Sequence, residues 1–259
     1  MPRPSHPPVI RRRPASLIPA ADPRYGAGVT SPGPARPAQL AGRILDRLGA
    51  RPADGHRYVV GIAGPPGAGK STLAARLVTA LNHAAGDGFA GLAPMDGFHL
   101  PNATLRARNA LARKGEPDTF DAAGYVAALR RVRDTPLGVP VPWPTFDRAL
   151  DEPTPGGAVF TGHTVVITEG NYLLLDEAEA PGWSGVRALL DETWYVDADR
   201  SRLTERLLAR HRAGGRDPEA ALRKVRDSDL RNAELVAASR PRAQLVLVAD
   251  GDGYRISAP

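Results

Sequence analysis

Two kinds of apolar pattern alternate along this chain. Short unbroken apolar runs have the length and β-branched content of buried strands. They are Tyr58-Val59-Val60-Gly61-Ile62-Ala63, Thr164-Val165-Val166-Ile167-Thr168, Thr193-Trp194-Tyr195-Val196-Asp197 and Leu245-Val246-Leu247-Val248. A further strand is expected at residues 91–95, leading into Asp96-Gly97-Phe98-His99. Helical spacing places Leu40, Ile44, Leu45 and Leu48 on one side of residues 39–48, and Leu73, Leu77 and Val78 on one side of 72–78. Residues 121–133 repeat the pattern with Tyr125, Val126, Leu129 and Val132 inward. An arginine-rich helix is expected over about 200–212, then a break at Gly214-Gly215 and another helix over 218–238. Strands alternating with helices predict an α/β fold, a parallel β-sheet covered by helices on both faces and closed by the run at 245–248. The proline-rich stretch 136–155 is expected as loop or edge strand. No internal repeat is present.

Composition narrows this picture. The 259 residues fit one α/β domain with an appendage. The absence of cysteine excludes disulfides, thiol nucleophiles and zinc–thiolate sites. No apolar run approaches ~18 residues, so no membrane span is expected, and no apolar segment follows Arg11-Arg12-Arg13 to make a signal peptide. A cytoplasmic location is expected. The formal charge of +6 is concentrated near the start: residues 1–38 hold six arginines, one acid and ten of the 26 prolines. The other 28 basic and 27 acidic residues nearly cancel. Residues 1–38 are therefore expected to be a disordered Pro/Arg-rich leader, with residues 39–259 as the folded domain and a lid near 200–218. Nucleic acid is not the expected partner of so evenly charged a domain.

The chemistry starts at Gly64-Pro65-Pro66-Gly67-Ala68-Gly69-Lys70-Ser71, which fits the phosphate-binding pattern G-x-x-x-x-G-K-[ST] between a strand and a helix. Glycines there let backbone N–H groups point at an anion, and the helix N-terminus adds partial positive charge. Lys70 would reach the β/γ-phosphates, Ser71 would ligate Mg²⁺, and Thr72 completes the nucleotide-binding run.

Acids stand where strands end. Asp96 is placed either to accept a hydroxyl proton during phosphoryl transfer or to serve as a plain Asp-Gly turn. Glu169 is placed either as the acid that positions Mg²⁺ or as a capping carboxylate. Arg206, Arg210, Arg212 and Arg216 surround His211 and the glycine pair, as lid cations over the phosphates or as a solvated basic face. The chain has neither the Asn-Lys-x-Asp motif of GTPases nor the Leu-Ser-Gly-Gly of transporter ATPases.

These residues resemble the phosphoribulokinase, uridine kinase and pantothenate kinase group of P-loop kinases, over residues 58–248. The likeness lies in the P-loop and in Met95-Asp96-Gly97-Phe98-His99-Leu100-Pro101-Asn102. It continues through Lys114-Gly115-Glu116-Pro117-Asp118-Thr119-Phe120-Asp121, Pro144-Thr145-Phe146-Asp147, the Glu169-Gly170 strand end and Gly215-Arg216-Asp217. The resemblance implies Asp96 as general base, Arg216 on the phosphates, and Asp121 near the acceptor's hydroxyls; Arg206, on the inner face of the helix before the glycine pair, is expected as the second lid cation. It also implies His99, Phe146, Asp147 and Asn232 beside the acceptor. The base-reading histidine of uridine kinases is Asp151 here, and Pro142-Trp143-Pro144 replaces the Tyr-Ser-His of pantothenate kinases. Neither of those substrates is matched. The nearest likeness is to a bacterial kinase-like branch linked to sugar transport.

The expected activity is an ATP-dependent kinase acting, with Mg²⁺, on a hydroxyl of a sugar-, nucleoside- or pantothenate-like metabolite. The alternative is a nucleotide-binding regulatory protein without efficient transfer. Expected partners are ATP and a small-molecule acceptor, with a homodimer allowed and no membrane.

Overall fold

The computed structural model describes residues 33–51 and 55–257. Helix α1 (Pro37–Gly49) precedes strand β1 (Tyr58–Ala63), and α2 (Lys70–Ala85) leads to β2 (Ala90–Pro94). Helices α3 (Asn102–Ala107) and α4 (Ala122–Asp134) are followed by strands β3 (Val141–Asp147), β4 (Glu152–Phe160), β5 (Val165–Glu169) and β6 (Glu192–Asp197). Helices α5 (Arg200–Ala213), α6 (Pro218–Lys224) and α7 (Leu230–Ala237) then lead to β7 (Leu245–Asp250) and β8 (Gly253–Ser257).

The main sheet has the order β2-β5-β1-β6-β7-β8. Its first five strands are parallel, and β8 runs antiparallel to β7. The α/β fold is as the apolar runs predict, but residues 245–248 do not close the sheet; β8 does. Every residue of β1 and β5 is buried, as strands covered on both faces must be. Alternation splits β1 between two cores. Val59 and Ala63 pack with Tyr125, Leu129 and Val166, whereas Val60 and Ile62 pack with Leu73, Leu77 and Ile167. Chain connections diverge to either side of β1, so the sheet has its switch point at the carboxyl end of that strand.

The proline-rich stretch forms an antiparallel hairpin, β3–β4, as a separate two-stranded sheet with an irregularity between Trp143 and Thr145. Each strand of a two-stranded sheet has a free edge, which is where proline is tolerated. Trp143 is fully buried and its Nε1 donates to the Pro94 carbonyl at 3.0 Å, fastening the hairpin to the end of β2. At the hairpin's base Arg57 is fully buried. Its guanidinium donates to the carbonyls of Val132 (3.1 Å), Thr135 (2.6 Å), Val139 (3.4 Å), Phe160 (3.4 Å) and Thr161 (2.9 Å).

The proposed boundary at residue 38 needs correction. Residues 1–32 of the expected leader lie outside the described residues. Residues 34–38, however, belong to the folded unit. Ala35 exchanges backbone hydrogen bonds with Tyr254 at 2.8 and 2.9 Å, and Arg36 caps α1. A chain beginning at Ala38 should therefore melt below one beginning at Gly33. Two backbone bonds worth about 1 kcal/mol each correspond to a few degrees in a domain of this size. Equal melting temperatures in calorimetry would refute the assignment.

Candidate active site

The P-loop connects β1 to α2 at the switch point. Gly64, Gly67 and Gly69 have φ of 145°, 81° and 103°, a region other residues rarely adopt. Gly69 is the left-handed cap of α2, so the helix begins at Lys70. Lys70 is buried, with Nζ donating to the Pro65 carbonyl (2.9 Å) and Asn171 Oδ1 (2.7 Å). Burial lowers its pKa to about 8, although Glu169 and Asp96 pull it upward.

Ser71 Oγ donates to Glu169 Oε1 at 3.0 Å. Parallel pairing of β5 with β1 and β2 sets Glu169 beside Ile62 and Pro94, two residues before Asp96. Burial pushes the Glu169 carboxyl above its ordinary range, and the charge of Asp96 pushes it further. A hydroxyl and a buried, electrostatically burdened carboxylate are hard oxygen donors that fit Mg²⁺. No group of three or more acids and histidines able to hold a metal occurs among the described residues.

Asp96 lies in a 3-10 turn, Met95–Phe98, directly after β2. A Cβ on Gly97 would come within 2.1 Å of the Pro144 carbonyl oxygen. The Asp-Gly pair is thus fixed by the close approach of the hairpin backbone. The Asp96 carboxylate meets Arg148 at 3.3 Å. His99 Nδ1 lies 2.8 Å from the Asp96 carbonyl, which can only accept; Nδ1 carries the proton and Nε2 is the acceptor in the neutral ring. Burial lowers the His99 pKa, favouring that neutral form. The ring packs, tilted, against Phe120 (4.0 Å between ring centres) and Phe146 (4.7 Å).

All these elements border one cavity of about 1440 Å³. Lys70, Ser71, Thr72, Asp96, His99, Glu169, Arg206, Arg216 and Asn232 line it, with Pro66, Gly67, Ala68 and Gly69. Gly64 and Pro65 do not; they shape the loop, Pro65 by accepting from Lys70. Three of the residues expected beside the acceptor have other partners in the structure. Asp121 does not line the cavity, because its Oδ1 accepts the Gly124 N–H and caps α4. Asp147 does not either; its carboxylate accepts the N–H groups of Ala149 and Leu150 in the hairpin turn. Phe146 stands behind His99, with Lys114 Nζ 5.0 Å from its ring centre. On α5, Arg206 donates to the P-loop carbonyls of Gly67 (3.3 Å) and Ala68 (3.2 Å), bracing the loop. Arg210 lines the cavity and Arg212 does not, which separates two arginines the sequence left equivalent.

Several lining residues escaped the sequence reading. Asn171, the partner of Lys70, directly follows Glu169-Gly170, and its place past a strand end was the available signal. Lys114, Arg148 and Asn102 come together only through the hairpin. His211 and Asp229, 2.6 Å apart, join α5 to the π-helical turn Val225–Asp229 between α6 and α7. The β7–β8 turn contributes Gly251, Gly253 and Tyr254.

A parallel sheet with a P-loop at its switch point and acids at neighbouring strand ends defines a P-loop NTPase fold of the kinase type. The family model "Phosphoribulokinase / Uridine kinase family" matches residues 59–245. The chain belongs to that family. It is 37% identical over 155 residues to the ATP-dependent kinase-like protein notR' of Aspergillus versicolor, covering 56% of this chain and 88% of that one. It is 33% identical over 160 residues to YggC of Escherichia coli, covering 62% and 64%. The chain spans about half, 48%, of the ATP-dependent kinase YFH7 of Zygosaccharomyces rouxii. Among solved structures, a candidate fructose transport system kinase from Silicibacter sp. TM1040 superposes with a TM-score of 0.73 at 37% identity, covering 82% of this chain and 98% of that one. The likeness to YFH7 of Saccharomyces cerevisiae, at 20% identity and a TM-score of 0.70 over 83% and 99%, shows the fold alone. No helix among the described residues is long and apolar enough to cross a membrane.

Proposed function

We propose that this protein is an ATP-dependent kinase that transfers the γ-phosphate of ATP to a hydroxyl of a small polar metabolite. The observation that carries this reading is Asp96, a strand-end carboxylate that lines the same cavity as Lys70, Ser71 and Glu169. The P-loop and Lys70 hold the triphosphate. Asp96 accepts the hydroxyl proton as the acceptor oxygen bonds to the γ-phosphorus and the bond to the ADP oxygen breaks. Arg210 and Arg216 line the lid side of the cavity and offset charge on the transferring group. When bound, Mg²⁺ at Ser71 and Glu169 supplies charge neutralisation of the phosphates.

A coupled ADP-release screen tests this against nucleosides, sugars, sugar phosphates, hydroxy acids and vitamins. Sugars belong in the panel because the Silicibacter relative is described by fructose transport. ADP should form only when a particular acceptor is present. Tight nucleotide binding with no acceptor-dependent ADP across the panel would instead support the regulatory alternative.

The state of Lys70 gives a second test. With a pKa of about 8 in the free protein, the amine is partly neutral at pH 8. Phosphates arriving beside it raise its pKa, so ATP binding must draw in protons there and far fewer near about pH 6.5. Calorimetry in buffers of different ionisation enthalpy should show uptake at pH 8. Buffer-independent heats at pH 8 would exclude this role for Lys70.

A further inference from the structure

The cavity holds more positive charge than a nucleotide alone calls for. Nine lysines and arginines line it, against four carboxylates. Six of the nine belong to α2 or to the segment from α5 to α6, and one of these, Lys224, donates to the Ala112 and Lys114 carbonyls. The other three are Arg106, Lys114 and Arg148. They come from α3, the segment after it and the hairpin tip; Arg148 reaches the Asp96 carboxylate, and Lys114 lies against the Phe146 ring that packs on His99.

Two of these are incompletely answered by the protein, and the third leans on an exposed carboxylate. Lys114 Nζ donates to Asn102 Oδ1 at 2.7 Å and to the Asp151 carbonyl, and its charge is met by the Asp151 carboxylate at 3.0 Å. That carboxylate is 64% exposed, so water screens much of its charge. Arg148, itself 66% exposed, has one side-chain partner among the described residues, Asp96 at 3.3 Å, the same carboxylate that is to engage a hydroxyl. The Arg106 side chain is exposed and makes no hydrogen bond or ion pair with any described residue. Each is tolerable while water fills the cavity. An acceptor that displaces this water takes solvation from all three cations, and a neutral acceptor returns no charge for it. Guanidinium forks match phosphate and carboxylate oxygens in shape as well as charge.

We propose that the acceptor is an anionic alcohol, carrying a phosphate monoester or a carboxylate that Arg106, Lys114 and Arg148 bind while its hydroxyl meets Asp96. This rests on the kinase reading above and narrows its substrate class. It also assigns Arg106 as a specificity residue.

The test uses matched sets: glycerol, glycerol 3-phosphate and glycerate; fructose, fructose 6-phosphate and gluconate. ADP release is measured for each with wild type, Arg106→Gln and Arg148→Gln. Thermal protection by each compound is measured beside a non-hydrolysable ATP analogue. In any set that turns over, an anionic member should exceed its neutral counterpart in kcat/KM by at least about tenfold. Arg106→Gln should raise the KM of that anion by about tenfold and leave the KM for ATP within about twofold. Preference between the phosphate and carboxylate members identifies which anion the site reads. A neutral compound used as well as its anionic partner, or an anion KM indifferent to Arg106→Gln, overturns the proposal while the kinase reading stands. If no compound releases ADP, thermal protection decides. Protection by anions alone, weakened in Arg106→Gln, supports the anion subsite without phosphotransfer. Absence of such protection overturns it.

Discussion

Replacing Asp96 with asparagine is expected to lower kcat by about 10²–10⁴-fold while leaving Mg·ATP binding close to normal. The substitution keeps the side chain's shape and removes its basic oxygen. The backbone beneath it is held independently of the carboxylate. Trp143 Nε1 anchors Pro94, His99 Nδ1 anchors the Asp96 carbonyl, and Gly97 packs under the Pro144 carbonyl. None of the hydrogen bonds of Lys70 or Ser71 involves Asp96. The loss should therefore appear in kcat and kcat/KM together, as expected for an interaction realised in the transition state. Electrostatics add a second readout. Asp96 raises the pKa of both Glu169 and Lys70, so asparagine should let both fall. Proton uptake on ATP binding should then begin at lower pH than in the wild type. Wild-type turnover by Asp96→Asn with its acceptor would remove Asp96 from the chemistry.

What the sequence makes legible follows from where single-chain patterns carry the information. Strands β1 and β5 announce themselves because both faces are buried and the apolar run is unbroken. The P-loop is legible because glycine, lysine and serine at that spacing have few other uses. Strands β3 and β4 are obscured by Pro142, Pro144, Pro153 and Pro155, which break any alternation. Strand β8 is hidden because Arg255 and Ile256 are both exposed on this edge strand, Ile256 at 50%, so no apolar alternation shows. Within the motifs, residue type is legible and side-chain direction is not. Asp96 and Asp121 are both acids in family-like blocks. One lines the cavity, and the other spends its carboxylate on capping α4. Asp147 and Phe146 are likewise engaged elsewhere, by a turn and by the tilted packing of Phe146 on His99. Lys114 and Asp151 belong together only because the hairpin tip folds over the segment after α3, a long-range contact that no local spacing encodes.

Arg57→Met is expected to cost about 3–5 kcal/mol of stability, the largest structural effect of a single change outside the cavity. The guanidinium is completely buried and bonds to no carboxylate. Burial accordingly lowers its pKa. Its compensation comes from five carbonyl oxygens, two of them from Val132 and Thr135 at the carboxyl end of α4, where the helix carries partial negative charge. The other three come from Val139, Phe160 and Thr161, at the base of the β3–β4 hairpin. One side chain therefore joins β1, α4 and the hairpin that carries Arg148 and Asp151. Methionine fills similar volume but leaves those carbonyls without donors, each at about 1–3 kcal/mol before water and small shifts recover part. Lysine keeps the charge but cannot fan out to five acceptors with one ammonium, so Arg57→Lys should fall between methionine and wild type. At about 2–4 °C per kcal/mol, Arg57→Met should melt about 6–20 °C below wild type. A melting temperature within about 2 °C of wild type would mean that the carbonyl cluster is solvated without the guanidinium, and that packing alone holds the hairpin to the sheet.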